Sequence, residues 1–189
     1  ISGTLYQVFP RVFTEEGTFR AMQEKLDYIQ DLGVDIIWML PPHPIGEKGK
    51  KGDLGCPFSV KDFRKVNPEY GTKEDFKALI TDIHARGMKV ILGMVPNHGS
   101  NDNILMDQHP EWFMKDKSGN FTREVEDWSD ITDFNFDEPG IRQYLLETYK
   151  YWIQEFDIDG YRMDVAGMVP MDFWKQTIAE LRKVKPDLY

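Results

Sequence analysis

Two nearly unbroken apolar runs, residues 34–40 and 88–95, constrain the fold of this chain more than any other feature. Apolar residues that do not alternate with polar ones are typical of strands buried on both faces, as in a parallel sheet covered by helices. A helical pattern over residues 19–32 precedes the first run, and Pro41 ends that run. The runs therefore predict an α/β fold around a parallel sheet.

Two weaker patterns extend the alternation of strands and helices. Residues 5–9 predict a first strand, and residues 158–164 predict a fourth, because Ile158, Tyr161 and Met163 interleave with polar residues at a period near two. A helix is predicted after each strand. These helices are 19–32, with Met22, Leu26 and Ile29 inward; 72–87, with a Thr72–Asp75 capping box; 139–156; and one from Pro170, with Phe173, Ile178 and Leu181 inward.

The spacing of the strands locates two enlarged loops. A bare β–α unit takes about 30 residues or slightly more, which the first interval matches and the next two exceed. Both long loops follow strands, at the carboxyl ends of the sheet, where α/β enzymes place their sites. The spacing predicts a first part over residues 1–97, an inserted subdomain over 98–137, and a continuation over 138–189. Four units make half of an eightfold barrel.

The fourth strand carries the strongest candidate for chemistry. Arg162 and Asp164 lie two residues apart, on one face of a strand, so the arginine favours the ionised carboxylate. An ionised, oriented carboxylate is a candidate nucleophile. The alternative is a structural ion pair at a strand end.

Other candidates lie on the same predicted edge. Asn97 and His98 follow the third strand, Phe58 lies on the loop after the second, and Asp133 lies near the end of the insert. His98 could be a structural residue, Phe58 could be loop packing, and Asp133 could be a solvated carboxylate. Alternatively, Phe58 offers an apolar platform for a ligand, and Asp133 could share a calcium ion with Asn97.

Composition limits the partners. A formal net charge of −9 argues against nucleic-acid or anionic-membrane partners, which require clustered Lys and Arg. The one basic cluster, Lys48, Lys50 and Lys51, lies among glycines and is interpreted as a loop tip. No apolar run approaches the roughly 18 residues of a membrane span. The single cysteine, Cys56, leaves the cellular compartment open.

Five segments together resemble the α-amylase family of glycoside hydrolases, family 13. They occur in the family's order, with an insert after the third strand, and they cover essentially the whole chain. They are residues 6–11, 55–63, 93–98, 131–135 and 160–164.

The resemblance implies a partial (β/α) barrel of the TIM type and a retaining glycosidase that acts on α-glucans such as maltooligosaccharides. Asp164 matches the family's nucleophile, and Arg162 matches the arginine that orients it. His98 matches a histidine that binds the sugar at the cleavage point. Phe58 matches the aromatic platform beneath that sugar.

The resemblance also implies a calcium site, which some members of the family carry. Asn97, Asp133 and the backbone carbonyl of Met168 match its ligands. Two departures concern the same neighbourhood. The family usually has Asp where this chain has Gly93, and Tyr where it has Phe58, so polar partners of Arg162 and of the sugar are missing.

A third departure concerns the second carboxyl that retaining hydrolysis requires. The family takes this group from a strand-five Glu, and the sequence ends where strand five should begin. We therefore expect the isolated chain not to hydrolyse glucans and to self-associate through open barrel edges. The alternative function is a half-barrel that binds glucan or assembles with a partner without hydrolysis.

Overall fold

A computed structural model describes residues 3–189 and is built around one parallel sheet. Its four strands follow the order β1-β2-β3-β6, and a separate antiparallel pair joins β4 and β5. This architecture confirms the predicted α/β fold and fits part of a (β/α) barrel. The strands are β1 Leu5–Val8, β2 Ile36–Met39, β3 Lys89–Met94, β4 His98–Ser100, β5 Ile131–Asp133 and β6 Gly160–Met163.

Helices cover one face of the sheet. The side chain of Thr72 accepts from the backbone N–H of Asp75 at 3.1 Å and Asp75 accepts from that of Thr72 at 3.0 Å, which confirms the predicted capping box. The helices are α1 Pro10–Phe13, α2 Phe19–Glu24, α3 Leu26–Asp31, α4 Lys73–Ala85, α5 Leu105–Gln108, α6 Pro139–Phe156 and α7 Met171–Val184; single 3₁₀ turns occur at Pro110–Trp112 and Ala166–Met168.

The helix predicted over residues 19–32 is two helices. The backbone N–H of Lys25 bonds to the carbonyl of Met22, three residues back, and this tighter closure ends α2. Met22, Leu26 and Ile29 are nevertheless all fully buried, as predicted.

The predicted inward position of Ile178 is wrong. Phe173 and Leu181 of α7 are buried, but the side chain of Ile178 is 44% exposed. The buried positions of α7 follow a spacing of four through Thr177, so the next residue lies about 100° away around the helix. Ile178 instead lines a groove with Tyr161 beside the outer edge of β6.

The two faces of the sheet are unequally covered. The register pairs Gln7 with Trp38 and Gly93 with Arg162, so these residues share one face. That face is partly open: Gln7 is exposed and the Arg162 side chain is 42% exposed, whereas Ile36 and Ile91 on the same face are buried. The other face packs against the helices and holds the core residues Val8, Ile37, Met39, Val90, Leu92 and Met94.

Residues 98–137 form a compact layer above the carboxyl ends of β3 and β6. Strands β4 and β5 pair His98 with Asp133, and the ring of Phe113 packs on Phe134 at 5.3 Å between centroids. None of the described helices within residues 3–189 is long and apolar enough to cross a membrane.

Candidate active site

Arg162 and Asp164 lie at the carboxyl end of β6. The backbone N–H of Asp164 donates to the carbonyl of Met94 at 2.8 Å, which holds the residue beside β3. Arg162 Nη1 donates to Asp164 Oδ1 in an ion pair that links the two side chains. Among residues 3–189, no side chain donates a hydrogen bond to Asp164 Oδ2.

The turn after Asp164 adopts an unusual backbone conformation. Val165 has φ 45° and ψ 37°, a left-handed geometry that is sterically unfavourable for a β-branched residue. Such positions cost on the order of 1–3 kcal/mol and cluster at functional sites. The indole of Trp174 donates to the carbonyl of Ala166 at 2.9 Å and thereby holds this turn.

A cavity of about 230 Å³ joins Asp164 to His98 and Phe58. Complete ligand pockets measure roughly 300–1,000 Å³, and this one is walled by the loop after β2 and by the inserted segment. The structure therefore brings together the predicted nucleophile, sugar-binding histidine and aromatic platform. Their catalytic and binding roles stay predictions.

His98 is held in one orientation and is uncharged near neutral pH. Its side chain accepts at Nδ1 from the amide of Asn97 at 3.1 Å, and its ring packs edge-on against Trp128. Burial lowers the pKa of His98 to about 4, although a backbone contact with Phe58 opposes the shift. When Nδ1 accepts from the Asn97 amide, the ring proton of neutral His98 lies on Nε2.

Asn97 and Asp133 contact each other, as a shared calcium site would require. Asn97 Nδ2 donates to Asp133 Oδ1 at 3.3 Å, and the backbone N–H of Glu124 donates to Asp133 Oδ2 at 2.8 Å. Burial raises the pKa of Asp133. Met168 lies apart in sequence, on the turn after Asp164.

A calcium ion takes six to eight oxygen ligands, and Asn97 and Asp133 supply only part of such a set. Both carboxylate oxygens of Asp133 already accept from N–H groups, and among residues 3–189 no cluster of three or more His, Cys, Asp or Glu side chains is arranged to hold a metal. The assignment of Asn97, Asp133 and Met168 as ligands stays a prediction.

Sequence reasoning missed one wall of the cavity. Lys51, interpreted as part of a loop tip, reaches the inserted segment: its Nζ donates to the carbonyl of Asp127 at 2.6 Å and lies 3.9 Å from Asp130 Oδ1. Trp128 and Cys56 also line the cavity. Asp130 and Trp128 lie just before segment 131–135, which resembles the family. Their position beside that segment was the only indication in the sequence that they line the cavity.

Comparisons with known proteins identify the family of the chain. The family profile for the alpha amylase catalytic domain matches residues 7–187. The chain is similar to an intracellular maltogenic amylase of Bacillus subtilis, at 33% identity over 92% of this chain and 30% of that protein.

Solved structures match more closely. An alpha-amylase from Lactobacillus plantarum superposes with a TM-score of 0.96 at 46% identity, covering 98% of this chain and 44% of that one. A noncanonic maltogenic alpha-amylase from Thermotoga neapolitana gives 0.91 at 39%, covering 96% and 43%. The chain thus spans less than half the length of each of these proteins. With nearly its whole length matched by the family profile, this chain belongs to the alpha-amylase family of glycoside hydrolases.

Proposed function

We propose that Asp164 is the nucleophile of a retaining glycoside hydrolase that acts on α-glucans. In this proposal the chain supplies the nucleophile and part of the sugar site, and the general acid lies outside it. The observation that carries the proposal is the Arg162–Asp164 ion pair opening into a cavity shared with His98 and Phe58.

The first chemical step follows from the free oxygen of Asp164. Oδ2 attacks the anomeric carbon of the bound sugar as the bond from that carbon to the glycosidic oxygen breaks, and the leaving oxygen takes a proton from the general acid. The product is a glycosyl ester on Asp164, which water then hydrolyses. Arg162, bound to Oδ1, holds the carboxylate ionised and oriented for the attack.

His98 and Phe58 bind the sugar in this mechanism. Neutral His98 donates a hydrogen bond from Nε2 to a hydroxyl of the sugar at the cleavage point. The Phe58 ring lines the same cavity and offers an apolar surface to the sugar's C–H groups. A Phe provides this surface without the hydroxyl of a Tyr, so the sugar has one polar contact fewer.

The position of Tyr189 indicates where the general acid would enter. Its N–H donates to the carbonyl of Asp159 at 3.0 Å, and its carbonyl accepts from the N–H of Tyr161 at 3.1 Å. This is parallel pairing with the outer edge of β6. A strand continuing from Tyr189 would run beside β6 and end near Asp164, where a carboxyl about 5–5.5 Å from the nucleophile is required.

A second candidate function is glucan binding without hydrolysis. Gly93 and Phe58 favour it, because each lacks a polar group that the family usually carries beside Arg162 or the sugar. In that case Asp164 would accept hydrogen bonds from a bound glucan and form no covalent intermediate.

Covalent labelling separates the two functions. A fluorinated α-glucosyl fluoride forms the glycosyl-enzyme quickly and hydrolyses slowly, and its fluoride leaves without protonation by a general acid. We expect mass spectrometry to find the sugar ester on Asp164 when the chain is extended by the β/α units that complete the barrel. The Asp164→Asn variant should stay unlabelled, and Asp172→Asn, an exposed carboxylate paired with Arg142, should label normally. A label on any other residue, or none in a glucan-binding wild type, would contradict the proposal.

A further inference from the structure

We infer that Trp38 is the positioning residue that holds Arg162, at the place that Gly93 leaves without a side chain. The inference rests on the proposed function, because it concerns the arginine that orients the nucleophile. Trp38 lies outside the segments that resemble the family, and its ring occupies space that the absence of a side chain at Gly93 leaves open.

The register leaves Arg162 without a side chain opposite it. Gly93 of β3 pairs directly with Arg162 of β6, so the neighbouring position on the open face is empty. Trp38, from β2, reaches across this gap, and the guanidinium carbon of Arg162 lies 5.0 Å from the centroid of the Trp38 ring. A guanidinium within about 6 Å of an indole face is attracted by the ring's electron density.

Gly93 makes the position of the indole possible. A β-carbon at residue 93 would lie 3.3 Å from Trp38 Nε1 and 3.2 Å from both the carbonyl oxygen of Met39 and Cδ of Pro41. These distances are shorter than ordinary van der Waals contacts, so any side chain there would push on the indole. The small residue and the large ring are therefore a matched pair.

The indole nitrogen of Trp38 makes no hydrogen bond that would explain the position of the ring. Trp38 Nε1 is buried and has no hydrogen-bond partner among the residues the structure describes. Buried Trp N–H groups usually find an acceptor, and an unmet one costs stability. Departures of this kind concentrate at functional sites. The contact with the Arg162 guanidinium requires the ring of Trp38 and does not require its N–H.

The contact with Trp38 restricts the orientation of the Arg162 guanidinium, which a single ion pair does not fix. Arg162 makes its described side-chain hydrogen bond to Asp164 alone, and 42% of its side chain is exposed on the open face. A guanidinium held over an aromatic ring has less freedom to rotate, and its bond to Oδ1 then restricts the direction of Oδ2. Without the ring, the ion pair persists but the attacking oxygen loses its direction.

The test compares Trp38→Phe, which keeps an aromatic face, with Trp38→Ala in the chain extended beyond Tyr189. We expect Trp38→Ala to lower kcat on maltooligosaccharides about 10- to 100-fold, as for a misplaced reacting group, with KM changed less than about threefold. Trp38→Phe should recover most of the kcat. The matched control is the same pair of changes at Trp112, which lies in the inserted segment and stacks on His109.

A second variant tests the pairing with Gly93. Gly93→Ala should lower kcat by displacing the indole, and the loss should shrink when combined with Trp38→Phe, which removes Trp38 Nε1, one of the three crowded atoms. If the double variant's fold loss in kcat equals the product of the two single losses, Trp38 and Gly93 are not coupled.

The 189-residue chain gives a readout that needs no activity. In its NMR spectrum we expect the Nε–H proton of Arg162 to be shifted upfield by the indole ring and to lose that shift in Trp38→Ala. An unshifted wild-type signal, or an active extended enzyme in which Trp38→Ala keeps wild-type kcat, would overturn the inference and leave the proposed function intact. An inactive extended wild type with the ring shift present would instead reject hydrolysis and retain the Arg162–Trp38 contact.

Discussion

The two faces of the four-stranded sheet differ in what covers them and in what they carry. The helix-covered face holds fully buried aliphatic residues such as Ile37 and Leu92. The open face carries Trp38, Arg162 and, just beyond β6, Asp164. Stability is therefore concentrated on one face and candidate chemistry on the other, so substitutions on the two faces should fail in different ways.

The largest effect is expected on the open face, at Asp164. Replacing a nucleophile by its amide removes the attacking oxygen's charge while keeping its shape. Asp164→Asn in the extended chain should lower kcat at least about 10³-fold while maltooligosaccharide binding is retained. Steady-state kinetics and calorimetry measure the two quantities. Wild-type turnover in this variant would remove Asp164 from the role.

A matched pair of leucines compares stability between the faces. Leu92 is fully buried, whereas Leu5 is 50% exposed on the open face. We expect Leu92→Ala to lower the free energy of unfolding by about 2–5 kcal/mol and Leu5→Ala by less than about 1 kcal/mol. Urea denaturation measures both. Equal losses would mean that the open face is covered in solution.

Buried histidines should make stability depend on pH. Burial lowers the pKa of both His43 and His98 to about 4, from an ordinary 6.5. Between these values the unfolded chain binds protons that the folded chain does not, so the free energy of unfolding falls as pH drops from 6.5 toward 4. The loss reaches up to about 3 kcal/mol per histidine.

Variants assign this pH dependence. His98→Asn should make the fall in stability between pH 6.5 and 4 shallower than in the wild type. If His98→Asn has the wild-type slope, His98 is not the neutral, buried donor that the site requires.

The smallest expected effect concerns the outer edge of β6. Ile178 and Met163 line the apolar groove there, and we expect the isolated chain to self-associate at tens of micromolar. Ile178→Lys should reduce that association in sedimentation experiments, and Lys175→Ala on the exposed side of α7 should not. A monodisperse wild-type monomer would show that the open edge does not mediate self-association.

Local patterns predicted much of the fold. The Thr72–Asp75 capping box and the helix over residues 139–156 follow from residues close together in sequence, and both occur as predicted. The exposed position of Ile178 was missed because its environment depends on β6 and not on α7's own periodicity.

Contacts across the site were harder to predict. Lys51 reaches Asp127, 76 residues away, and Trp38 meets Arg162 across an intervening strand. Neither contact leaves a periodic signal, because each depends on strand register and loop shape. The segment 160–164 could be recognised as a unit, but its supporting residues appeared only once the strands were aligned.

The most direct test of the central claim is hydrolysis of maltooligosaccharides by two forms of the protein: the 189-residue chain alone, and the chain extended by the β/α units that complete the barrel. We predict no measurable hydrolysis by the chain alone, because the proposed function places the general acid outside these 189 residues, and turnover by the extended form. Hydrolysis by the pure 189-residue chain, or silence in both forms with glucan binding retained, would contradict the proposed division of the active site.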